Sequence, residues 1–231
     1  SKNYEAYTAY MLNNFCEVAA EIWKLQPKNL YAVGLLLKIM IQDMQRIRDR
    51  VNFLKVLTTD KQVGAVAASS RFVVKSVLKH IPKHVKTIVE CGPGEGVLTR
   101  MLLKQLAKDG TLVGIESNKE FAAILRKGIH DSRFKIVNGK AQDIIGYVEK
   151  NHLPPVDFAV ASIPFSFITP LERRQIVHDI HAVLRAHGIF VIFNYSPLMY
   201  RTMKKVFGNA SIGFEFRNIL PCWIMVARKE K

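Results

Sequence analysis

The chain has 231 residues, with 34 Lys and Arg against 19 Asp and Glu, a formal net charge of +15. That length holds one well-buried α/β domain plus a modest extension, and the apolar and charged fractions exclude a disordered chain. The basic excess favours an anionic partner, whether nucleic acid, an acidic membrane surface or a phosphorylated substrate, unless the chain is simply a basic enzyme with an anionic cofactor.

The first segment reads as helical. Tyr4, Tyr7, Met11 and Phe15 recur at helix spacing, and Pro27 ends the run. A second helix carries Leu30, Val33, Leu37, Met40, Ile41, Met44 and Ile47 on one stripe, with Lys38, Gln42, Arg46 and Asp49 opposite. Either that stripe packs on the protein's own core, or it lies on a membrane surface with Arg46, Arg48 and Arg50 at its polar end. The longest apolar run, Leu30–Ile41, is broken by Lys38 and is too short to span a bilayer. No secretory signal is legible. Residues 1–60 are expected to form an N-terminal helical extension, and residues 61–231 the main domain.

After the small, flexible stretch Val63–Ala68, Ser69 or Ser70 offers an N-cap. The helix it opens sets Val73, Val77 and Ile81 on one stripe and Arg71, Lys75 and Lys79 on the next, and stops at Pro82. From Lys86 onward short apolar runs alternate with helices. Strands are expected at Thr87–Cys91, Thr111–Glu116, Phe134–Val137, Val156–Ala161 and Ile189–Phe193. Helices are expected through about Ala107, from about Lys119, over Ile144–Glu149, and over Leu171–Ala186, the last closed by Gly188. Phe214–Asn218 and Trp223–Ala227 read as a closing pair. The alternation implies an α/β fold with a mostly parallel, doubly wound sheet.

Glu90-Cys91-Gly92-Pro93-Gly94-Glu95-Gly96 follows the first strand and opens a helix. Its G-x-G-x-G spacing lets backbone approach a ligand closely. Glu116 ends the second strand, where a carboxylate can accept both hydroxyls of a ribose. After the third strand comes Asn138-Gly139-Lys140-Ala141-Gln142-Asp143, and after the fourth Ser162-Ile163-Pro164-Phe165-Ser166-Phe167. Cys16, Cys91 and Cys222 are scattered without CxxC spacing, which argues against a disulfide framework or a zinc site and favours a reducing compartment. His178 and His181 lie one helical turn apart with no acidic or thiolate ligand beside them, so no metal site is expected.

The glycine loop resembles motif I of class I S-adenosylmethionine-dependent methyltransferases, a (D/E)xGxGxG loop on a Rossmann-like sheet that is mostly parallel with an antiparallel closing strand. The G-x-G-x-x-G loop of dinucleotide-binding domains fits less well. The resemblance implies S-adenosyl-L-methionine as cofactor, S-adenosyl-L-homocysteine as product, and Glu90, Gly92, Pro93, Gly94, Gly96, Glu116 and Ser117 as cofactor contacts. It implies Ala141, Gln142 and Ser162 as further contacts; Lys140 replaces the acid that reads the adenine, and Asp143 is a substitute candidate.

Ser162-Ile163-Pro164-Phe165 resembles the (N/D/S)-x-P-(Y/F) turn of amino-directed methyltransferases. There a polar side chain and a carbonyl orient the amine, and the ring of Phe165 offers a face to a developing cation. Val63–Arg71, Ser162–Phe165, Phe193-Asn194-Tyr195-Ser196-Pro197 and Arg217-Asn218-Ile219-Leu220-Pro221 resemble segments of bacterial phospholipid N-methyltransferases, which methylate phosphatidylethanolamine. The implied catalytic set is Ser162, Pro164, Phe165 and Tyr195. Arg173, Arg174 and Arg201 are candidates for the substrate phosphate, or are solvated surface charges.

The implied partner is a phospholipid on an anionic membrane, reached through the helices of the first 81 residues, by a cytoplasmic protein peripheral on the inner face. RNA adenine or protein amino groups are alternative acceptors. A methyltransferase-like binding protein without turnover is the non-enzymatic alternative, which Lys140 permits.

Overall fold

The computed structural model describes residues 71–217 and 222–231. The N-terminal helices read from the sequence, the stretch Val63–Ser70 and residues 218–221 lie outside the described residues. In chain order the elements are α1 (Arg71–Leu78), β1 (Thr87–Cys91), α2 (Val97–Gln105), β2 (Thr111–Glu116), α3 (Lys119–Gly128), β3 (Phe134–Asn138), α4 (Ile144–Lys150) and β4 (Val156–Ala161). They continue with α5 (Pro170–Val183), β5 (Leu184–Asn194), α6 (Tyr200–Phe207), β6 (Ser211–Glu215) and β7 (Cys222–Arg228). Single 3-10 turns, Ala141–Asp143 and Phe165–Phe167, precede α4 and α5.

The strands form one sheet in the order β3-β2-β1-β4-β5-β7-β6. β1 pairs in parallel with β2 and β4, while β7 runs antiparallel to both β5 and β6. Every residue of β1 is buried, as a central strand covered on both faces requires. Alternate residues feed two apolar layers. Val89, Val113, Ala159, Phe190 and Met225 pack with α5 and α6; Ile88, Leu112, Val160, Val191 and Ile224 pack with α1 and α2. This is the mostly parallel, doubly wound sheet that the alternation implies, with the antiparallel closing strand that the family resemblance implies.

Local chemistry sets the element ends. Thr169 and Glu172 form a reciprocal capping box, and Pro170 occupies the first helical position of α5. Asn118 caps α3 by accepting from the Glu120 and Phe121 amides. α1 buries Val73, Val74 and Val77 while Arg71, Lys75 and Lys79 stay exposed, so its apolar stripe faces the protein's interior rather than a membrane.

Several boundaries differ from the sequence reading. The helix expected to run to Ala186 ends at Val183, and Leu184 is already extended. Gly188 therefore closes no helix; the left-handed residue is His187, at φ 62°. A Cβ on Gly188 would lie 2.9 Å from the Arg185 carbonyl oxygen and 3.0 Å from that of Val156, so glycine is needed for close approach inside the strand. The closing pair is also displaced: its first strand is Ser211–Glu215, where Phe214–Asn218 was expected, and its second starts at Cys222.

Candidate functional site

The C-terminal ends of β1, β2, β4 and β5 converge at one edge of the sheet, where open α/β sheets bind ligands. Gly92, Gly94 and Gly96 all adopt positive φ, at 78°, 55° and 79°. A Cβ at Gly92 would come within 2.7 Å of both the Ser162 carbonyl oxygen and Ile163 Cγ2. The glycine loop thus lies directly against the Ser162–Phe165 turn. The Ser162 amide also donates to the Cys91 carbonyl at 2.9 Å. Gly94 differs: nothing lies within 4 Å of where its Cβ would be, so the loop is open there.

Glu116 is 6% exposed. Its Oε2 accepts from the Gly94 amide at 3.0 Å and its Oε1 from the Asn118 amide at 2.8 Å. A carboxylate has about four lone-pair sites, so capacity for two further donors remains. An open glycine at the loop and spare acceptor capacity on a strand-end carboxylate fit a ligand with vicinal hydroxyls, as S-adenosylmethionine has. Pro93 is buried and Ser117 is exposed. The Ser117 and Glu116 carbonyls accept from Asn138 Nδ2, tying β3 to this corner.

Glu90 is bonded to the helix that follows the loop. It is 3% exposed, and its Oε2 accepts from Thr99 Oγ1 of α2 at 2.7 Å. Burial pushes its carboxyl up to about 7; the Thr99 hydroxyl opposes this and the nearby Glu116 charge adds to it. In these surroundings Glu90 fastens the loop to α2.

Gly139 also marks a close approach: a Cβ there would fall 1.9 Å from the Tyr147 hydroxyl. Ala141 is buried. Gln142 Nε2 donates to Glu172 Oε1 at 3.3 Å, so its side chain reaches α5. Lys140 and Asp143 are both exposed, and Asp143 Oδ2 accepts from Tyr147 at 3.4 Å.

On the acceptor side, Ser162 is half-buried and Pro164 exposed. The expectation that Phe165 presents its ring to a substrate is not met: it is 1% exposed, inside the core layer with Ile176 and Val177. The exposed aromatic of this segment is Phe167, at 81%. Tyr195 packs on the opposite core layer, beside α1 and α2. Phe165 and Tyr195 therefore pack against different core layers.

Asn194, the last residue of β5, has a role that the sequence motifs do not assign. Its Nδ2 donates to the Ile163 carbonyl at 3.0 Å, and its Oδ1 accepts from the Tyr195 amide at 2.7 Å. A polar residue ending a strand just before Tyr195 is the signal that marks it. The three candidate arginines occupy the first turns of α5 and α6, at this same edge. Arg173 Nε donates to the Ile168 carbonyl at 2.8 Å and braces the turn; Arg174 and Arg201 are exposed. Among the described residues no cluster of His, Cys, Asp or Glu can hold a metal ion, and no helix is long and apolar enough to cross a membrane.

The family model described as "Methyltransferase domain" matches residues 88–188. The ornithine lipid N-methyltransferase of Singulisphaera acidiphila is 24% identical over 172 residues, covering 73% of this chain and 90% of that protein. A probable ribosomal RNA small subunit methyltransferase A of Pyrobaculum aerophilum is 35% identical over 97 residues, 42% of this chain and 38% of its own length. Among solved structures, an O-methyltransferase from Bacillus cereus in complex with SAH has a TM-score of 0.60 at 17% identity, covering 76% of this chain and 89% of its own.

Proposed function

We propose that this chain, a class I S-adenosylmethionine-dependent methyltransferase, transfers methyl groups to the amine of a lipid headgroup at an anionic membrane surface. The observation that carries the reading is the direct packing of the Ser162–Phe165 turn on the glycine loop, at Gly92. That packing supports the reading of this turn as the amine side of a pocket whose other side is the cofactor loop. The likeness to an ornithine lipid N-methyltransferase over 90% of that protein's length supports a lipid as the acceptor.

S-adenosylmethionine, when bound, supplies a methyl group on a positively charged sulfur. The chain's own residues hold and orient. Glu116 would accept the ribose hydroxyls, Gly92, Gly94 and Gly96 would let the backbone come close, and Ala141, Ser117 and Gln142 would border the adenine. The Ser162 hydroxyl accepts from an amine N–H and aims the nitrogen lone pair along the transfer line, while the Ile163 carbonyl, which accepts from both the Phe165 amide and Asn194 Nδ2, fixes the shape of the turn. Pro164 stiffens that turn, and Phe165 holds it from beneath by filling the core. Tyr195 closes the far side, and Arg174 and Arg201 face the headgroup phosphate. Glu90 acts through the loop rather than on the ligand. Residues 61–231 make up the methyltransferase domain in this reading, and residues 1–60 an extension to it.

A second reading, RNA adenine methylation, draws on the 35% identity to a ribosomal RNA methyltransferase and on the net charge of +15. Incubation with methyl-labelled S-adenosylmethionine, phosphatidylethanolamine vesicles and total RNA in one mixture separates the two. Label in the organic phase is expected; label confined to RNA would reject the lipid reading.

A further inference from the structure

We infer that the C-terminal edge of the sheet docks on an anionic lipid bilayer through two exposed patches that flank the acceptor turn. Phe167 and Leu171 form one; Phe216 with Arg71 and Arg217 forms the other. The inference rests on the lipid-amine reading and adds the surface by which the enzyme reaches its substrate.

Scattered exposed apolar side chains are ordinary, but several large ones gathered at one edge mark an interaction surface. Phe167 is 81% exposed and Leu171 68%, both at the entrance to α5. Phe216 is 70% exposed, just beyond the end of β6. The pairing register places this second patch. Glu215 lies opposite Cys222, and the neighbouring Trp223 lies opposite Asn194, the residue that holds the acceptor turn. In the sheet order, β6 and β4 are three strand spacings apart, so at ~4.8 Å each the strands that lead into the two patches stand about 15 Å apart. The ends of β4 and β5 lie between them, with α5 on one face and α1 on the other.

The second patch is built rather than loose. Arg217 donates to Glu215 from Nε at 2.8 Å and from Nη2 at 2.7 Å, and Ser76 of α1 donates to the same buried carboxylate at 2.8 Å. So held, the Arg217 guanidinium stands 5.0 Å from the Phe72 ring and 5.9 Å from that of Phe216, while Arg71 lies 4.9 Å from Phe72. Aromatic rings at headgroup depth beside guanidinium groups that reach lipid phosphates are the chemistry of the bilayer interface. Exposed Arg174 and Arg201 extend the same charge along the edge. RNA also attracts arginine and stacks on aromatic rings, but an exposed Leu171 beside Phe167 offers an aliphatic surface suited to acyl chains rather than to bases.

The test compares the parent chain with the double variant Phe167→Ser, Leu171→Ser. Flotation is measured on equimolar phosphatidylglycerol–phosphatidylcholine vesicles and on phosphatidylcholine alone. The parent is expected to float with the anionic vesicles, and the variant to bind them about tenfold more weakly. Affinity for S-adenosylmethionine and methyl transfer to monomeric short-chain phosphatidylethanolamine are expected to stay within about twofold of the parent, because both residues are solvent-facing. As an independent probe, Phe167→Trp should add emission over the parent that shifts to the blue with anionic vesicles. No flotation of the parent, unchanged flotation of the double variant, no blue shift, or a loss of affinity for an RNA oligonucleotide in place of vesicles would each overturn the docking surface. Failure of the lipid-amine reading shows separately, as no transfer to the monomeric lipid by the parent.

Discussion

The side-chain amide of Asn194 spans from β5 to the turn after β4, donating to the Ile163 carbonyl at 3.0 Å while accepting the Tyr195 amide at 2.7 Å. One side chain thus ties the acceptor turn, through its Ile163 carbonyl, to the backbone of Tyr195. Asn194→Ala is expected to lower kcat for methyl transfer with little change in S-adenosylmethionine affinity. Asn194→Asp keeps the acceptor for Tyr195 but loses the donor to Ile163, and should fall between alanine and the parent. Equal kcat in all three proteins would show that the bridge plays no part in positioning.

The glycines of the loop separate backbone strain from ligand space. Gly94→Ala places a Cβ in open space at φ 55°, so the fold should lose only about 1–2 kcal/mol. If that space belongs to the cofactor, its affinity should drop at least about tenfold, a difference of 1.4 kcal/mol. Gly92→Ala drives a Cβ to 2.7 Å from the Ser162 carbonyl and should cost stability and cofactor binding together. Denaturant melts beside calorimetry give both numbers. Unimpaired cofactor binding in Gly94→Ala would place the ligand elsewhere.

Glu90 makes stability depend on pH. Its carboxyl has a value of about 7 in the folded chain against 4.5 for the ordinary group, so between those values the folded state holds a proton that the unfolded state has lost. Its contribution is full below 4.5 and is lost as pH rises through 7, up to about 3 kcal/mol. Glu90→Gln should flatten the stability profile across that window and be the more stable protein at pH 8. A variant whose profile stays parallel to the parent's would mean that Glu90 is ionised throughout.

Phe165 tests whether the aromatic of the turn works by its face or by its volume. At 1% exposure, Phe165→Ala should cost about 3–5 kcal/mol of stability through the cavity it leaves. Phe165→Leu conserves most of the volume and should cost under about 1.5 kcal/mol. Turnover by the leucine variant close to the parent's is expected. A large loss of kcat in a leucine variant of parental stability would restore the ring to direct contact with the substrate.

Much of this site was legible because it depends on local backbone demands. The G-x-G-x-G spacing asks for positive φ at three positions, and all three glycines adopt it. The acid ending β2 sits beside the loop because β1 and β2 are adjacent parallel strands. Depth was not legible. The pattern Ser-x-Pro-Phe names residue types, and only the packing of α5 onto β4 shows that Phe165 points into the core. The bond that Glu90 accepts was hidden for the same reason, since Thr99 lies nine positions away on α2. Gly188 resembled a helix stop, and what constrains it is the carbonyl of Arg185 in its own strand together with that of Val156 in a neighbouring one.

The central claim, that the acceptor is a lipid amine, is tested most directly by the kcat/KM of the purified chain for two acceptors under one condition. These are monomeric short-chain phosphatidylethanolamine and an adenine-containing RNA oligonucleotide, each with saturating labelled S-adenosylmethionine. The account expects the lipid to be methylated on its headgroup nitrogen with the higher kcat/KM. Methylation of the RNA with the lipid left untouched would contradict it.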